Sequence, residues 1–379
     1  MCALWIAPLA AQTVMNDPPF RPAFADSRAV GDVGVASAGD FQSLYLNPAG
    51  FAAKNATITL TKVSAGLDFL PTGDNLRLAG EAWNDPANSG AILSPLGASV
   101  GFGGNGAFGI GYAGAGLGLG LIASVDGFAP SIDGSLADAS ALATVAFIGG
   151  LGFTVGNHLT VGGAVRPMVR VNVPTAGVGD LLSFAAGQGS SGSNVPSLYG
   201  IGVGVDLGAR YSNGPLSYGL ALRDVAGTRM YYEGESLGTL ESSIASGNGV
   251  PQGGSTGNVE YVIPMSLTLG VAFHPNLGAI ARYFDPQMEV DYLYTFDPSR
   301  PIWSQTVGDF VSGGLHAGID ARVLSYVHLR AGYELGDAFF GLGFQLPVVS
   351  IDATAFSRVI ASDSGGPRQG MTVSFTLHL

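Results

Sequence analysis

The residues of this chain with the clearest chemistry are arginines on one phase of its alternating segments. Five of them could bind the carboxylate head group of a fatty acid through charge-assisted hydrogen bonds: Arg166, Arg170, Arg223, Arg322 and Arg330. The same phase carries carboxylates that could pair with these arginines instead, namely Asp206, Glu289, Asp291, Asp320 and Glu334. We favour an ion-pair network that braces the interior of the protein, and the sequence does not select one arginine as a ligand contact.

Catalytic and metal chemistry find little support in the sequence. The five histidines lack the spacing of a metal site. The run Gly101-x-Gly103-x-x-Gly106 matches a dinucleotide fingerprint, but no helical pattern follows it. A lipase with a Ser/His pair is the enzyme alternative, yet His316 and His328 lie on the polar phase rather than the lipid-facing one. We therefore expect no enzyme activity, no catalytic residue, no metal and no cofactor.

A tetrapeptide box, Asn47-Pro48-Ala49-Gly50, precedes the first alternating segment. Pro48 has a fixed φ and disfavours the helical region for Asn47, whose amide can bond nearby backbone groups. Ala49 and Gly50 permit close approach to a wall. The box alone could be an ordinary turn, but its position and the Gly/Ala-rich run before it favour a plug. Residues 12–54, called the N-terminal segment below, are too few to fold alone and must pack against something larger.

The alternating segments have the period of β-strands. From His158 to Val173, one phase is entirely apolar and the other carries Arg166 and Arg170. A period of two places these phases on opposite faces of a strand. An apolar face opposite a charged face is typical of a strand between lipid and a polar interior. The phase that carries the charges is predicted to face water.

About fourteen such segments have the length of outer-membrane strands. Hairpin turns are predicted at Gly104-Asn105-Gly106, Gly156-Asn157 and Asn213-Gly214. Long polar connections are predicted at 67–95, 126–139, 174–197, 226–260 and 297–309. Short turns on one side and long loops on the other predict an outer-membrane barrel.

Composition supports a membrane barrel. Of the 379 residues, 47% are apolar and only 12% are charged, which disfavours a soluble β-sandwich or β-helix. The most apolar stretch, Ala107–Ala123, contains six glycines at strand spacing and is a poor helix. Since only helices and closed barrels satisfy the backbone in lipid, a barrel is indicated. The net charge of −12 argues against a nucleic-acid partner.

The first eleven residues have the composition of a signal-peptide end. Residues 1–11 are apolar and small and include the only cysteine, Cys2. We expect them to be a signal-peptide remnant, so that the mature protein has no thiol chemistry.

Three runs in the N-terminal segment resemble the FadL-like outer-membrane transporters of hydrophobic compounds. They are residues 27–31, 35–40 and 43–51, the last containing Tyr45-Leu46-Asn47-Pro48-Ala49-Gly50. Residues 330–333 and 341–344 also resemble late strands of related barrels, including spirochaete-type members. The resemblance implies a luminal hatch formed by the N-terminal segment and a passive route for long-chain fatty acids. The implied hatch and ligand residues are Asp40, Leu44, Asn47, Pro48, Ala49 and Gly50.

We therefore predict an all-β protein: a transmembrane antiparallel barrel over residues 55–379 with an N-terminal luminal hatch over 12–54. We expect a monomer in the outer membrane of a diderm bacterium, with hydrophobic small molecules such as fatty acids, outer-membrane lipid and the barrel insertion machinery as partners. The alternatives are a non-transporting barrel, either a secretion-associated shuttle or a surface adhesin, and an open general porin.

Overall fold

The computed structural model describes residues 15–69, 73–93, 102–129, 138–185, 194–246, 259–296, 306, 313–358 and 369–379. The predicted signal-peptide remnant lies outside these ranges. The described part of the chain contains seventeen strands: β1 Met15–Asn16, β2 Thr57–Leu67, β3 Phe102–Gly114, β4 Leu117–Ala129, β5 Asp138–Val155, β6 Leu159–Gly177, β7 Pro196–Asn213, β8 Leu216–Arg223, β9 Thr228–Ser236, β10 Val259–Ile263, β11 Ser266–Phe273, β12 Phe284–Thr295, β13 Leu315–Val323, β14 Val327–Glu334, β15 Asp337–Gln345, β16 Val349–Arg358 and β17 Gln369–His378.

Strands β2 to β17 form one closed antiparallel barrel. Each wall strand pairs with its neighbour in the chain, and β17 pairs with β2 to close the cylinder. Strands β8 and β9 both pair with β7, and β10 and β11 pair with β9 and β8. Each of these two pairs of short strands thus makes a single interrupted wall strand. Counted in this way, the barrel has fourteen strands, as predicted.

The two interruptions lie side by side in the wall. Residues 224–227 separate β8 from β9, and Asp224, Ala226 and Gly227 all have positive φ. Opposite them, Pro264 and Met265 separate β10 from β11. A proline has no N–H and cannot donate to a ladder, which explains the second break. Above the break, β10 pairs with β9 on one edge and, in parallel, with the short N-terminal strand β1 on the other.

Alternation along the strands sorts side chains between lipid and lumen. Phe147, Val165, Val203 and Leu342 face outward and are 43–59% exposed, whereas Arg166 on the opposite phase is fully buried. An outward apolar belt on a closed barrel fits a bilayer. The interior phase differs from the prediction, because many of its residues contact the N-terminal segment rather than water.

Two of the predicted connections were wrong in detail. Gly104-Asn105-Gly106 is not a hairpin but lies inside β3, where Asn105 is buried and donates to Asp68. The turn is at Ala115 and Gly116, both of positive φ. The predicted loop 226–260 contains β9 and the start of β10. The turns predicted at Gly156-Asn157 and Asn213-Gly214 are confirmed.

Helices were not predicted, and they lie mainly in the long connections. The described α-helices are α1 Ala25–Ala29, α2 Gly73–Asn84, α3 Ser89–Leu93, α4 Val178–Ala185 and α5 Leu237–Ala245; the 3-10 helices are Phe41–Leu44, Pro48–Ala52, Pro86–Asn88 and Gly278–Arg282. Helices α2, α3 and α4 pack with Ala129 of β4 and Ala139 of β5 in a small apolar core outside the main one. Among the described residues, no helix has both the length and the apolar character needed to cross a membrane.

Candidate functional site in the barrel lumen

From residue 15 onward, the N-terminal segment lies inside the barrel and fills much of its lumen. Its apolar side chains form the largest core of the protein: Phe20, Phe24, Phe41, Leu44, Tyr45 and Phe51. They pack on inward-facing wall residues, among them Ile122, Ile148, Met168, Met230 and Ile263. The obstruction of the lumen is therefore a hydrophobic contact, and it buries surface that an open pore would leave in water.

Glycines on the inner face of the wall make room for this contact. A Cβ at Gly118 would overlap the ring of Phe51, and one at Gly109 would overlap Phe41. A Cβ at Gly120 would come within 2.6 Å of Leu44. Glycine thus alternates along these strands because the N-terminal segment packs directly against the inner face of the wall.

Asn47 makes hydrogen bonds both within the N-terminal segment and to the barrel wall. Its Oδ1 accepts from the N–H of Ala49 at 3.0 Å and caps the 3-10 helix that begins at Pro48. Its Nδ2 donates to the carbonyl of Val35 at 2.6 Å, and to Ala209 and Leu220 of the wall at 3.3 and 3.4 Å. The asparagine thus holds the box against strands β7 and β8.

The other residues of the predicted hatch set occupy different surroundings. Pro48, Ala49 and Gly50 are buried, and a Cβ at Gly50 would contact the carbonyl of Ala38. Leu44 is buried in the core of the lumen. Asp40 is exposed and caps the 3-10 helix Phe41–Leu44 by accepting from Gln42 N–H at 3.0 Å.

Ion pairs and charged hydrogen bonds tie the segment to many wall strands. Arg170 binds Asp17 at 2.9 Å, Lys62 binds Asp26 at 2.6 Å, and Glu334 binds Arg21 at 2.5 Å. Two wall carboxylates accept from segment N–H groups: Asp291 from Gly34 and Val35, and Glu289 from Ala36. His316 Nδ1 lies 2.8 Å from the carbonyl oxygen of Gly31.

The five arginines singled out in the sequence divide by partner. Three bind carboxylates of the wall: Arg166 with Asp206 and Asp224, Arg322 with Asp285, and Arg330 with Asp320 and Asp352. Arg170 binds the N-terminal segment through Asp17 and the carbonyl of Pro18. Arg223 donates only to the carbonyl of Phe20, at 3.3 Å, and has no ion pair among the described residues.

The surroundings shift the pKa values of two carboxyl groups of the segment in opposite directions. Burial raises the pKa of Asp32 to about 7, and the negative charge of Glu334 adds to the effect. Burial would also raise the pKa of Asp26, but the positive charges of Lys62 and Arg330 lower it below its ordinary value. Burial raises the pKa of the Tyr45 hydroxyl well above its ordinary value.

Two of the cavities in the described part of the chain lie beside the segment. The larger, of about 620 Å³, opens among the short-turn ends of the strands and is lined by the charged groups Asp26, Lys62, Asp320, His328, Arg330 and Asp352. The smaller, of about 50 Å³, lies near the loop ends of β12 and β13 and beside the break at Pro264. Its apolar lining includes Val35, Leu46 and Leu293, and its polar lining includes Arg223 and His316.

Several residues that hold the segment were not singled out from the sequence. Asp17, Arg21 and Asp26 each bind a wall residue, and Tyr232 donates to Asp17 at 2.6 Å. Lys62 could have been singled out from the sequence, because a lysine within the first alternating segment would need a partner if it faced the lumen.

Comparison with known proteins gives structural neighbours only. No family model matches the chain, and no curated protein matches it. The toluene transporter TbuX of Ralstonia pickettii is similar in structure with a TM-score of 0.50, at 15% identity over 94% of this chain and 98% of that one. A Pseudomonas aeruginosa FadL homologue (TM-score 0.47, 14% identity, 96% and 99% covered) and the Pseudomonas putida toluene transporter TodX (0.48, 14%, 94% and 98%) are also similar.

The chain has the FadL-like fold. The resemblance read from the N-terminal runs is thereby confirmed at the level of architecture. A closed FadL-like barrel with an outward apolar belt belongs in the outer membrane, as predicted.

Proposed function

We propose that this protein is a passive outer-membrane channel for hydrophobic compounds such as long-chain fatty acids, gated by the N-terminal segment acting as a hatch. The observation that carries the proposal is the apolar contact of that segment with the glycine-lined wall. An open porin needs a water-filled lumen, whereas here aromatic side chains fill it. A non-transporting barrel would have no need of cavities next to the plug, and the described part of this chain contains such cavities.

The hatch residues Asn47, Pro48, Ala49 and Gly50 hold the plug, and Leu44 belongs to its apolar face. The charged cavity around Arg330 is an exit chamber on the short-turn side, which is the periplasmic side of such barrels. The arginines there pair with wall carboxylates, so they brace the barrel rather than retain cargo. No step of this function requires bond-making chemistry, so we propose a channel and not an enzyme.

Uptake by cells tests the proposal. A diderm host without its own hydrophobic-compound channel should take up labelled long-chain fatty acid or toluene faster when it expresses this protein. Uptake of a polar solute of similar size should not change. Equal uptake of both hydrophobic probes with and without the protein, at verified outer-membrane expression, would leave the non-transporting barrel as the better explanation.

A further inference from the structure

The small cavity beside the break at Pro264 has the features of a ligand site. It lies between the N-terminal segment and the wall, with Val35, Tyr45 and Leu46 on one side and Ser266, Leu293 and Thr295 on the other. Anything bound there contacts both the plug and the barrel. A ligand in this position can therefore bias whether the segment stays docked.

Several buried polar atoms of the residues that line this cavity lack a hydrogen-bond partner among the described residues, including Oη of Tyr45 and Oδ1 of Asp291. Two more are nitrogen atoms: Nε of Arg223, a residue that is 9% exposed, and Nε2 of His316, a residue that is 3% exposed. Buried polar groups are normally hydrogen-bonded, and an unpaired one costs about 1–3 kcal/mol.

The two nitrogen atoms, Nε of Arg223 and Nε2 of His316, need opposite partners. Gly31 offers a carbonyl oxygen to Nδ1 of His316, so Nδ1 carries the proton and Nε2 of the neutral ring is an acceptor. Arg223 can only donate. A hydroxyl group supplies both, because its oxygen accepts from Arg223 while its hydrogen is donated to His316.

The charges at the cavity disfavour an anionic head group. Asp32 and Asp291 both line it, and so do Arg21 and Arg223. Arg21 is paired with Glu334, which leaves Arg223 against two acids. Oδ2 of Asp291 already accepts from the N–H groups of Gly34 and Val35, and its Oδ1 has no partner among the described residues. A carboxylate placed beside Asp291 would meet a like charge and the lone pair of His316.

Resting on the proposed channel function, we propose that this cavity binds the hydroxyl head of an apolar alcohol. The cargo favoured by this chain is thus an uncharged hydroxylated hydrophobic compound rather than a hydrocarbon or a carboxylate. A volume of about 50 Å³ holds a head group of a few atoms, and the apolar side chains beside it accept the start of a hydrocarbon tail.

Calorimetric titration of the full-length protein in lipid nanodiscs tests the site, with 1-octanol and octanoate as matched probes. Protein-free nanodiscs correct for partition of each probe into lipid. We expect octanol to bind at least tenfold more tightly than octanoate at pH 7.5. Equal affinities, or saturable binding of octanoate alone, would overturn the proposal. Absence of saturable binding for either probe would also overturn it and would mean that the cavity holds water only.

The variant Asp291→Asn makes the test specific. Its carbonyl oxygen can still accept from Gly34 and Val35, while the negative charge beside the cavity is lost. The preference for octanol should fall at least fivefold, with octanoate binding gained. Glu81→Gln, the same acid-to-amide change in the exposed helix α2, should leave the preference unaltered. An unchanged preference in Asp291→Asn, with the barrel folded by its heat-modifiable gel mobility, would overturn the site.

The outcomes separate this site from the channel function. Cells that take up hydrophobic compounds without a head-group preference would refute the site and leave the channel. Saturable octanol binding without uptake would refute the channel and leave the site.

Discussion

At the scale of single residues, the wall glycines set how tightly the plug fits. Gly118→Ala places a methyl group against the Phe51 ring, and overpacking of this kind typically costs about 1–3 kcal/mol. We expect the docked state to weaken and spontaneous openings in planar-bilayer recordings to become more frequent. The second change Phe51→Ala should remove part of the added effect, giving a non-additive double-mutant cycle. Gly80→Ala in α2, where a Cβ meets no atom within 4 Å, is the control and should change nothing. Additive effects of the two lumen changes would contradict direct contact.

We expect docking of the segment to depend on pH through Asp32. Its pKa in the docked state is about 7 against an ordinary 3.8, so the docked state binds more protons between these values. Docking is therefore favoured at low pH and loses stability as pH rises from about 4 to 7. Openings should be rarer at pH 5 than at pH 8. In Asp32→Asn this difference should shrink; asparagine tolerates the positive φ of 53° at this position. A pH response of the same size in the variant would show that another group titrates.

At the scale of elements, we expect the two-residue strand β1 to depend on the buried ion pair of Asp17 with Arg170. Asp17 donates its N–H to Val262 of β10 at 3.0 Å, while its carboxylate binds Arg170 and Tyr232. Arg170→Met leaves the carboxylate buried without its cation, a change that costs about 3–5 kcal/mol at such sites. Hydrogen exchange at the Asp17 amide should accelerate at least a hundredfold. Arg322→Met breaks a pair whose arginine is 44% exposed and should leave that exchange rate near the wild-type value. Equal rates in both variants would mean that β1 is held by its ladder alone.

The elements also show what periodicity can and cannot predict. Strands with strict alternation, such as β6 and β7, were predicted because lipid and lumen impose opposite demands on the two faces. Gly104-Asn105-Gly106 misled because glycine serves turns and close packing equally, and its true role depends on Asp68, far away in the sequence. The box at Asn47 was recognisable from the sequence, but its wall partners Ala209 and Leu220 were not. Both accept through backbone carbonyls, which every residue type has. Arg223 could not be separated from its four counterparts, since the difference lies in which carboxylates fold beside it.

At the scale of the whole molecule, the barrel and its plug should be separable in function. Strand-to-strand hydrogen bonds close the cylinder without the segment, from β17 to β2. Deleting residues 12–54 should therefore leave a folded barrel whose glycine-lined lumen is open to water. We expect liposomes with this variant to admit small sugars at least tenfold faster than liposomes with the intact protein, as measured by swelling. Little change on deletion, with a folded barrel, would favour an already open porin.

The close contact between Phe51 and the wall should limit which substitutions are tolerated during evolution. The three nearest atoms to a Cβ at Gly118 all belong to the Phe51 ring, so position 118 cannot gain a side chain while the ring stays. Among divergent homologues, a larger residue at position 118 should coincide with a smaller one at position 51. The plug and the barrel wall would then coevolve. A chimera that joins the first 54 residues of a distant homologue to this barrel should have a plug that packs poorly against the wall.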